Sequence, residues 1–139
     1  MFRITKEFHF SASHQLKSLP PEHQCARLHG HNYVVEVELS AETLNEHGFV
    51  RDYHELAPLK HYIDESFDHR HLNDVLGHDR VTAECLARHF YEWCKARLPE
   101  TSAVRVSETA KRATLSKTRH QARIIRRFRI ANHSSVKAT

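Results

Sequence analysis

The seven residues CARLHGH, at positions 25–31, combine thiol, guanidinium and imidazole groups that bind metals, bind anions and transfer protons. His29 and His31 are two positions apart, so on a β-strand both imidazoles lie on the same face, about 6–7 Å from each other. Histidine is the commonest metal ligand in proteins, and a pair at this spacing can reach one ion. The simpler interpretation is a chance pair of histidines in a strand, and a third ligand nearby would argue against it.

His14 is the candidate for that third ligand. It continues the alternation of apolar residues in the segment 2–14, so it is predicted to point the same way as the phenylalanines of that strand. Three imidazoles with an open fourth position are typical of a catalytic zinc site, whereas a structural site has four protein ligands. The sequence therefore predicts zinc held by His14, His29 and His31.

Cys25 has two possible roles beside such an ion. As a fourth ligand it would close the metal site and leave it structural. As a separate thiol it would serve as a base or nucleophile, because a nearby cation favours the thiolate. The residues alone leave these two alternatives open.

Two further features carry acid and base groups. Asp68 and His69 are adjacent, and a carboxylate can fix the tautomer of a neighbouring imidazole for proton transfer, although a turn with an Asp cap is the simpler interpretation. Glu108 lies in a short predicted strand. At the floor of a pocket its carboxylate could accept paired N–H donors, but taken alone it reads as an exposed strand residue.

The elements that position these groups follow from periodicity and capping. Asp52 and Glu55 suggest a capping box, and Thr82 suggests a second helix cap. The residues at 68–74 read as a polar loop. The predicted elements are strands at 2–14 and 29–40, an irregular turn at 53–57, helices at 58–67 and from Thr82 to Arg97, and strands at 104–109 and 112–117. This order, ββααββ, predicts an α+β fold with a four-stranded antiparallel sheet and two helices on one face.

Length and charge limit the function classes. The chain has 139 residues, the size of one domain, and its three cysteines argue against a disulfide framework. No apolar run is long enough to span a membrane and no signal peptide is apparent, so a cytoplasmic protein is expected. Residues 111–139 hold nine Lys or Arg and no acidic residue. We expect a single domain at 1–117 and a basic extension of unknown role at 118–139.

The motifs taken together are more specific than any one of them. They occur in the order FHFSASH, CARLHGHNY, VRDYHELAPLK, FDHRHLND, TAECLA and VSET. From about residue 3 to residue 110 this pattern closely resembles the tunnelling-fold (T-fold) pterin synthases, a family with a 6-pyruvoyl and a 6-carboxy branch. The basic 118–139 segment departs from the family pattern.

The resemblance implies a role for each candidate residue. The zinc ligands of the family fall on His14, His29 and His31, and its catalytic cysteine falls on Cys25, which separates the thiol from the ligand set. The remaining roles implied by the resemblance or by position are an Asp-His catalytic pair at Asp68 and His69, a pterin-anchoring carboxylate at Glu108, a pocket-wall threonine at Thr82, and a triphosphate contact at Arg27.

The spacing between the cysteine and the histidine pair favours one branch. Three residues separate Cys25 from His29, as in the 6-carboxy branch, whereas the 6-pyruvoyl branch typically has a longer gap. The resemblance then implies a zinc-dependent carbon-carbon lyase of queuosine or 7-deazapurine biosynthesis. It would convert 7,8-dihydroneopterin triphosphate to 6-carboxy-5,6,7,8-tetrahydropterin, acetaldehyde and triphosphate. A 6-pyruvoyl-tetrahydropterin synthase is the alternative within the family.

The resemblance also implies assembly into a homo-hexamer, a dimer of trimers whose active sites lie between subunits. Cys25 and the Asp68-His69 pair would then come from different chains. A different class of function is a non-catalytic, zinc-containing module that associates with nucleic acid through the basic end. Such a module has no need of a separately placed cysteine, Asp-His pair and glutamate, so the sequence favours the enzyme and argues against nucleic acid as a partner.

Overall fold

The computed structural model describes residues 1–109 and 112–117. The predicted extension at 118–139 lies outside these residues. Among the described residues, no helix has the length and apolar character needed to cross a bilayer. The elements in chain order are β1 (Phe2–His14), a 3-10 turn (Gln24–Ala26), β2 (His29–Ala41), a 3-10 turn (Tyr53–Leu56), α1 (Ala57–Ser66), β3 (Arg70–His71), α2 (Leu72–Leu76), α3 (Ala83–Arg97), β4 (Thr101–Thr109) and β5 (Arg112–Lys117).

The five strands form one sheet in the order β3-β1-β2-β4-β5. The β1–β2, β2–β4 and β4–β5 pairs are antiparallel, while β3 runs parallel to β1. The β1–β2 pair is continuous from Phe2 opposite Ala41 to His14 opposite His29. The predicted alternation is confirmed, because Phe8, Phe10 and other residues of the same parity are buried while their neighbours face outward.

The core lies between one face of the sheet and the helices. Buried side chains of β1, β2 and β4 join those of α1, α2 and α3 in a single cluster. The cluster includes Phe10, which stacks on Tyr33 with ring centroids 4.9 Å apart and meets Phe67 and Phe90 edge to face. The α+β class and the placement of helices on one face are therefore as predicted.

The segment 68–74 is not a polar loop. It contains β3 and the start of α2, which adds a fifth strand to the predicted four. Two residues are too few to show a period in the sequence, and Leu72, fully buried, is the only apolar residue among the seven. The pairing of β3 with Ala12 and Ser13 of β1 is a tertiary contact that local pattern does not reveal.

The start of the first helical segment also differs in detail. Asp52 caps the 3-10 turn by accepting a hydrogen bond from the His54 N–H. The carboxylate of Glu55 does not complete a capping box, because it pairs with Arg51 instead. Pro58 lies in the first turn of α1, where its missing N–H leaves no hydrogen bond unmade.

Asn73 joins α2 to the end of β1. Its side chain is 6% exposed and forms three hydrogen bonds: Oδ1 accepts from the Gln15 N–H at 3.0 Å, and Nδ2 donates to Gln15 O at 2.8 Å and to Asp79 Oδ1 at 2.9 Å. The residue that follows His14 is therefore held by both of its backbone polar groups.

We predict that Asn73→Ala lowers the free energy of unfolding by about 1–3 kcal/mol, because it leaves half-buried backbone groups of Gln15 without these partners. Urea denaturation monitored by circular dichroism measures the change. Asn32→Ala is the matched control, since exposed Asn32 loses one surface hydrogen bond to Ser11 and is expected to cost well under ~1 kcal/mol. Equal losses in the two variants would contradict the structural role given to Asn73.

Candidate active site and metal centre

Three histidines meet where β1 ends and β2 begins. His14 lies directly opposite His29 in the strand pair, and His31 lies opposite Ala12 on the same face. One ring nitrogen from each histidine falls within 4.8 Å of the other two, and His14 Nε2 is 2.9 Å from His29 Nε2. Among the described residues, this is the one cluster of His, Cys, Asp or Glu side chains close enough to hold a metal ion.

The tautomers of two of these histidines follow from their backbone partners. His14 Nδ1 lies 2.7 Å from Val81 O, and His29 Nδ1 lies 2.7 Å from Arg27 O. A carbonyl oxygen only accepts, so each Nδ1 carries the proton and each Nε2 presents a lone pair. Two lone pairs 2.9 Å apart repel each other unless a cation or a proton lies between them. The cluster therefore fits a metal ion, and each carbonyl fixes the orientation of a ligand ring.

Burial favours the neutral form of two of the imidazoles. It is the main cause that lowers the pKa of His14, which is 1% exposed, and the neighbouring imidazoles His29 and His31 lower it further. Burial likewise lowers the pKa of His31, partly offset by Glu108. A metal ligand must be deprotonated, so these shifts favour metal binding near neutral pH.

The cluster opens into a cleft of about 1100 Å³. Three other predicted site residues, Cys25, Thr82 and Glu108, line the same cleft. The wall is completed by Leu16, Gln24, Ala83, Glu84, Thr109, Arg112, Ala113 and Thr114. The structure thus brings six of the nine predicted residues to one cavity.

Cys25 lies on the loop between β1 and β2, inside the 3-10 turn Gln24–Ala26. Its carbonyl accepts from the Leu16 N–H at 3.0 Å, and its own N–H donates to His23 Nδ1 at 3.1 Å. The thiol is half-buried and is not part of the three-histidine cluster. By contrast, Cys94 is fully buried in the core, and burial raises its pKa to about 12.

Glu108 reaches the cleft through an irregularity in the β4–β5 pair. Ser107 lies opposite Ala113 and Thr109 lies opposite Arg112, so β4 carries one extra residue, Glu108. A bulge of this kind re-aims a side chain and is common beside active sites. Glu108 is half-buried and close enough to raise the pKa of Tyr33, although burial of that phenol contributes more.

Asp68 and His69 lie elsewhere. Asp68 Oδ1 accepts from the Ser11 N–H at 2.9 Å, Asp68 Oδ2 lies 2.9 Å from His69 Nδ1, and the His69 N–H donates to Ser11 O at 2.7 Å. The hydrogen bonds made to the Asp68 carboxylate, first that from the Ser11 N–H and then that from the His69 side chain, lower the pKa of Asp68. The His69 side chain is 82% exposed and lines a second, shallower cleft with Ser11 and Asn32.

The backbone of His69 adopts the left-handed conformation, with φ of 56°. A residue with a side chain seldom adopts this conformation unless the surrounding structure imposes it. Here the two backbone hydrogen-bonding groups of Ser11 hold both members of the pair. The Asp68-His69 pair is therefore held in a fixed position, and His69 lines the second cleft rather than the one that contains the three histidines.

Thr82 and Arg27 have structural roles that are visible directly. Thr82 caps α3 by accepting a hydrogen bond from the Cys85 N–H at 3.2 Å, and it also lines the cleft. Arg27 is exposed and is not among the residues that line the cleft. Its backbone carbonyl, rather than its guanidinium, takes part in the site by orienting His29.

Sequence reasoning missed three groups that shape the site. Val81 acts through its backbone carbonyl, and Asn73 acts through its hydrogen bonds to Gln15. No sequence motif indicates such contacts. Arg112 enters the cleft because of the β4–β5 register. The sequence offers one indication for Arg112, which lies four residues after Glu108 in a predicted pair of strands.

Comparison with known proteins identifies the fold. A family model described as 6-pyruvoyl tetrahydropterin synthase matches residues 3–118. The chain belongs to the 6-pyruvoyl tetrahydropterin synthase family. The predicted resemblance is therefore confirmed, and the protein is a pterin synthase with the tunnelling fold.

Individual relatives agree with this assignment. The 6-carboxy-5,6,7,8-tetrahydropterin synthase of Synechocystis sp. is 38% identical over 117 residues, which covers 78% of this chain and 88% of that protein. The enzyme of the same name from Aquifex aeolicus is 33% identical, covering 71% and 82%. The structure of Caenorhabditis elegans 6-pyruvoyl tetrahydropterin synthase matches with a TM-score of 0.74 at 26% identity, covering 84% of this chain and 95% of that one.

We predict that the pterin synthase purified with zinc holds about one ion per chain, and that His14→Ala, His29→Ala and His31→Ala each lose most of it, because two imidazoles bind zinc far more weakly than three. Cys25→Ala is expected to keep the metal, since the thiol is outside the cluster. Plasma emission spectrometry after dialysis gives the metal content. His47→Ala, in an exposed loop, is the control. A Cys25→Ala protein without zinc would show that the cysteine is a ligand.

Proposed function

We propose that this pterin synthase is a zinc-dependent 6-carboxy-5,6,7,8-tetrahydropterin synthase. Its substrates are 7,8-dihydroneopterin triphosphate and one molecule of water, and its products are 6-carboxy-5,6,7,8-tetrahydropterin, acetaldehyde and triphosphate. The observation that carries the proposal is the meeting of three convergent imidazoles, a separate thiol and a bulged carboxylate in one cleft. A closed structural metal site would leave the thiol and the carboxylate without a purpose.

The choice of branch rests on the cysteine loop and on the relatives. Three residues separate Cys25 from His29, and hydrogen bonds fix the loop at both Leu16 and Ala26. The relatives from Synechocystis and Aquifex carry the name 6-carboxy-5,6,7,8-tetrahydropterin synthase. These points favour the carboxy product over the pyruvoyl product.

Zinc is the group that best fits the donor set of His14, His29 and His31. When bound with an open position, zinc supplies Lewis acidity that polarises oxygen atoms of the substrate side chain. The three histidines would hold the ion, and the carbonyls of Val81 and Arg27 keep two of the rings in the tautomer that can bind it. Tyr33, whose pKa is raised by burial, stays protonated 3.4 Å from His14 Nδ1.

Cys25 and the Asp68-His69 pair divide the proton transfers. The thiolate of Cys25 takes a proton from the substrate side chain, and the imidazole of His69 delivers or accepts another. Asp68 stays ionised, because its hydrogen bonds with Ser11 and His69 lower its pKa, and it holds the His69 ring by Nδ1. The free Nε2 of His69 is then the proton-transferring atom.

Glu108 binds the pterin ring. Its carboxylate presents two acceptor oxygens, and the 2-amino and ring N–H groups of a pterin form a matching pair of donors. The bulge in β4 and the half-buried position favour such a bond, since partial burial strengthens a charge-assisted hydrogen bond. Thr82 forms part of the wall between Glu108 and the start of α3.

The active site is completed by a neighbouring chain. Within one chain Cys25 and His69 line different clefts, which favours a substrate held beside the cysteine of one chain and the Asp-His pair of another. A hexamer built from two trimers, with active sites between subunits, brings the pair of one chain to the cleft of the next. The product feeds queuosine or 7-deazapurine synthesis in the cytoplasm.

We predict that the zinc-loaded protein converts 7,8-dihydroneopterin triphosphate to acetaldehyde and a carboxylated tetrahydropterin. Cys25→Ala should lower kcat at least ~100-fold while retaining zinc, because general acid-base catalysis contributes about that much. Mass spectrometry of the pterin and an alcohol dehydrogenase assay for acetaldehyde measure the outcome. Cys85→Ala, which removes a thiol outside the cleft, is the control. A pyruvoyl pterin as the product would overturn the proposed branch.

The intersubunit arrangement predicts complementation. Mixtures of Cys25→Ala and His69→Ala chains, unfolded and refolded together, should recover measurable kcat, because some sites combine an intact Cys25 with an intact His69. Each variant refolded alone is the control and should remain nearly inactive. Steady-state assays after mixing at several ratios give the result. Activity that never exceeds that of the separate variants would place both groups in one chain.

A further inference from the structure

The cleft beside the three histidines has an unusual balance of charge. Two carboxylates, Glu84 and Glu108, line it, together with His14 and His31, whose pKa values are lowered. Among the described lining residues Arg112 is the one that carries a permanent positive charge. A triphosphate ester entering this cleft needs cationic partners, and the acidic groups would otherwise repel it.

The guanidinium of Arg112 is available for such a ligand. Arg112 is exposed and forms no ion pair with any described residue. By contrast, Arg51 pairs with both Glu100 and Glu55, and Arg105, which lies on the same strand pair as Arg112, pairs with Glu36. An arginine that lines a cleft and has no acidic partner there can form paired hydrogen bonds with phosphate oxygens.

The β4–β5 pair sets the relative depth of Glu108 and Arg112. The register places Arg112 opposite Thr109, next to the bulge that carries Glu108. Glu108 is half-buried whereas Arg112 is exposed, so the carboxylate lies deeper and the guanidinium lies nearer the mouth. This order suits a ligand with a flat, apolar-faced ring at one end and a strongly hydrated anionic chain at the other.

We propose that Arg112 binds the triphosphate of the substrate and thereby sets the preference for the phosphorylated ester. This inference rests on the proposed function for the identity of the ester. It replaces the expected contact with Arg27, whose side chain is outside the lining of the cleft while its carbonyl orients His29. Arg112 is a specificity-determining residue and takes no part in proton transfer.

The test measures the binding of the phosphate chain and the binding of the pterin in separate experiments. Isothermal titration calorimetry measures the binding of inorganic triphosphate and of 7,8-dihydroneopterin to the zinc-loaded protein, and steady-state kinetics give KM for the triphosphate ester. Arg112→Ala should weaken inorganic triphosphate binding and raise KM by roughly 10- to 100-fold, the range for lost charge-assisted hydrogen bonds. Affinity for 7,8-dihydroneopterin should change less than about 2-fold. Arg112→Lys should recover part of the loss.

Arg88→Ala is the matched control, because Arg88 is an exposed arginine that lines a different cleft, on α3. The inference fails if Arg112→Ala leaves inorganic triphosphate binding intact, if it weakens 7,8-dihydroneopterin equally, or if Arg27→Ala alone produces the selective loss. Wild-type protein that binds no triphosphate also overturns it. Wrong products, by contrast, would overturn the proposed function while the calorimetry still decides the role of Arg112.

Discussion

The antiparallel pairing of β1 with β2 places His14 directly opposite His29, and the rest of the site depends on this register. A strand pair has a side-chain period of two, so the same register that buries Phe8 and Phe10 also brings His14 to the two histidines of β2. Hydrophobic burial along the strands thus fixes the position of polar ligands at their end. The register that buries the core therefore also brings the three histidines together.

The last residues of β1 serve two sites at once. His14 points inward to the cleft, while the backbone of Ser11 holds Asp68 and His69 at the outer edge of the sheet. Two residues of the strand, Ala12 and Ser13, lie between these attachments. Because a paired strand is stiff, the spacing between the three-histidine cluster and the Asp68-His69 pair is set by covalent geometry and by the sheet.

Much of this arrangement could be predicted from the sequence, for reasons that particular residues make clear. The alternation in 2–14 and 29–40 predicted that the three histidines share one face. This holds because alternate residues of a β-strand always lie on the same face of the sheet. The strand β3 was missed, since two residues carry no period. Arg27, expected from its position to contact the triphosphate, is not among the residues that line the cleft, because nearness in sequence to Cys25 does not determine where a side chain points. The separation of Cys25 from the metal cluster required the resemblance, as spacing alone left both roles open.

The register of β1 against β2 also determines where the chain can change length. One residue inserted within 11–14 would turn every later side chain of the strand to the opposite face, moving the imidazole of His14 out of the cleft and burying a serine in its place. The loop that follows has no such constraint over its exposed portion around Pro20 and Glu22, provided that Leu16 and Cys25 keep their hydrogen bond. Insertions and deletions at that loop tip are therefore compatible with the site, whereas an insertion or deletion at the end of the strand is not.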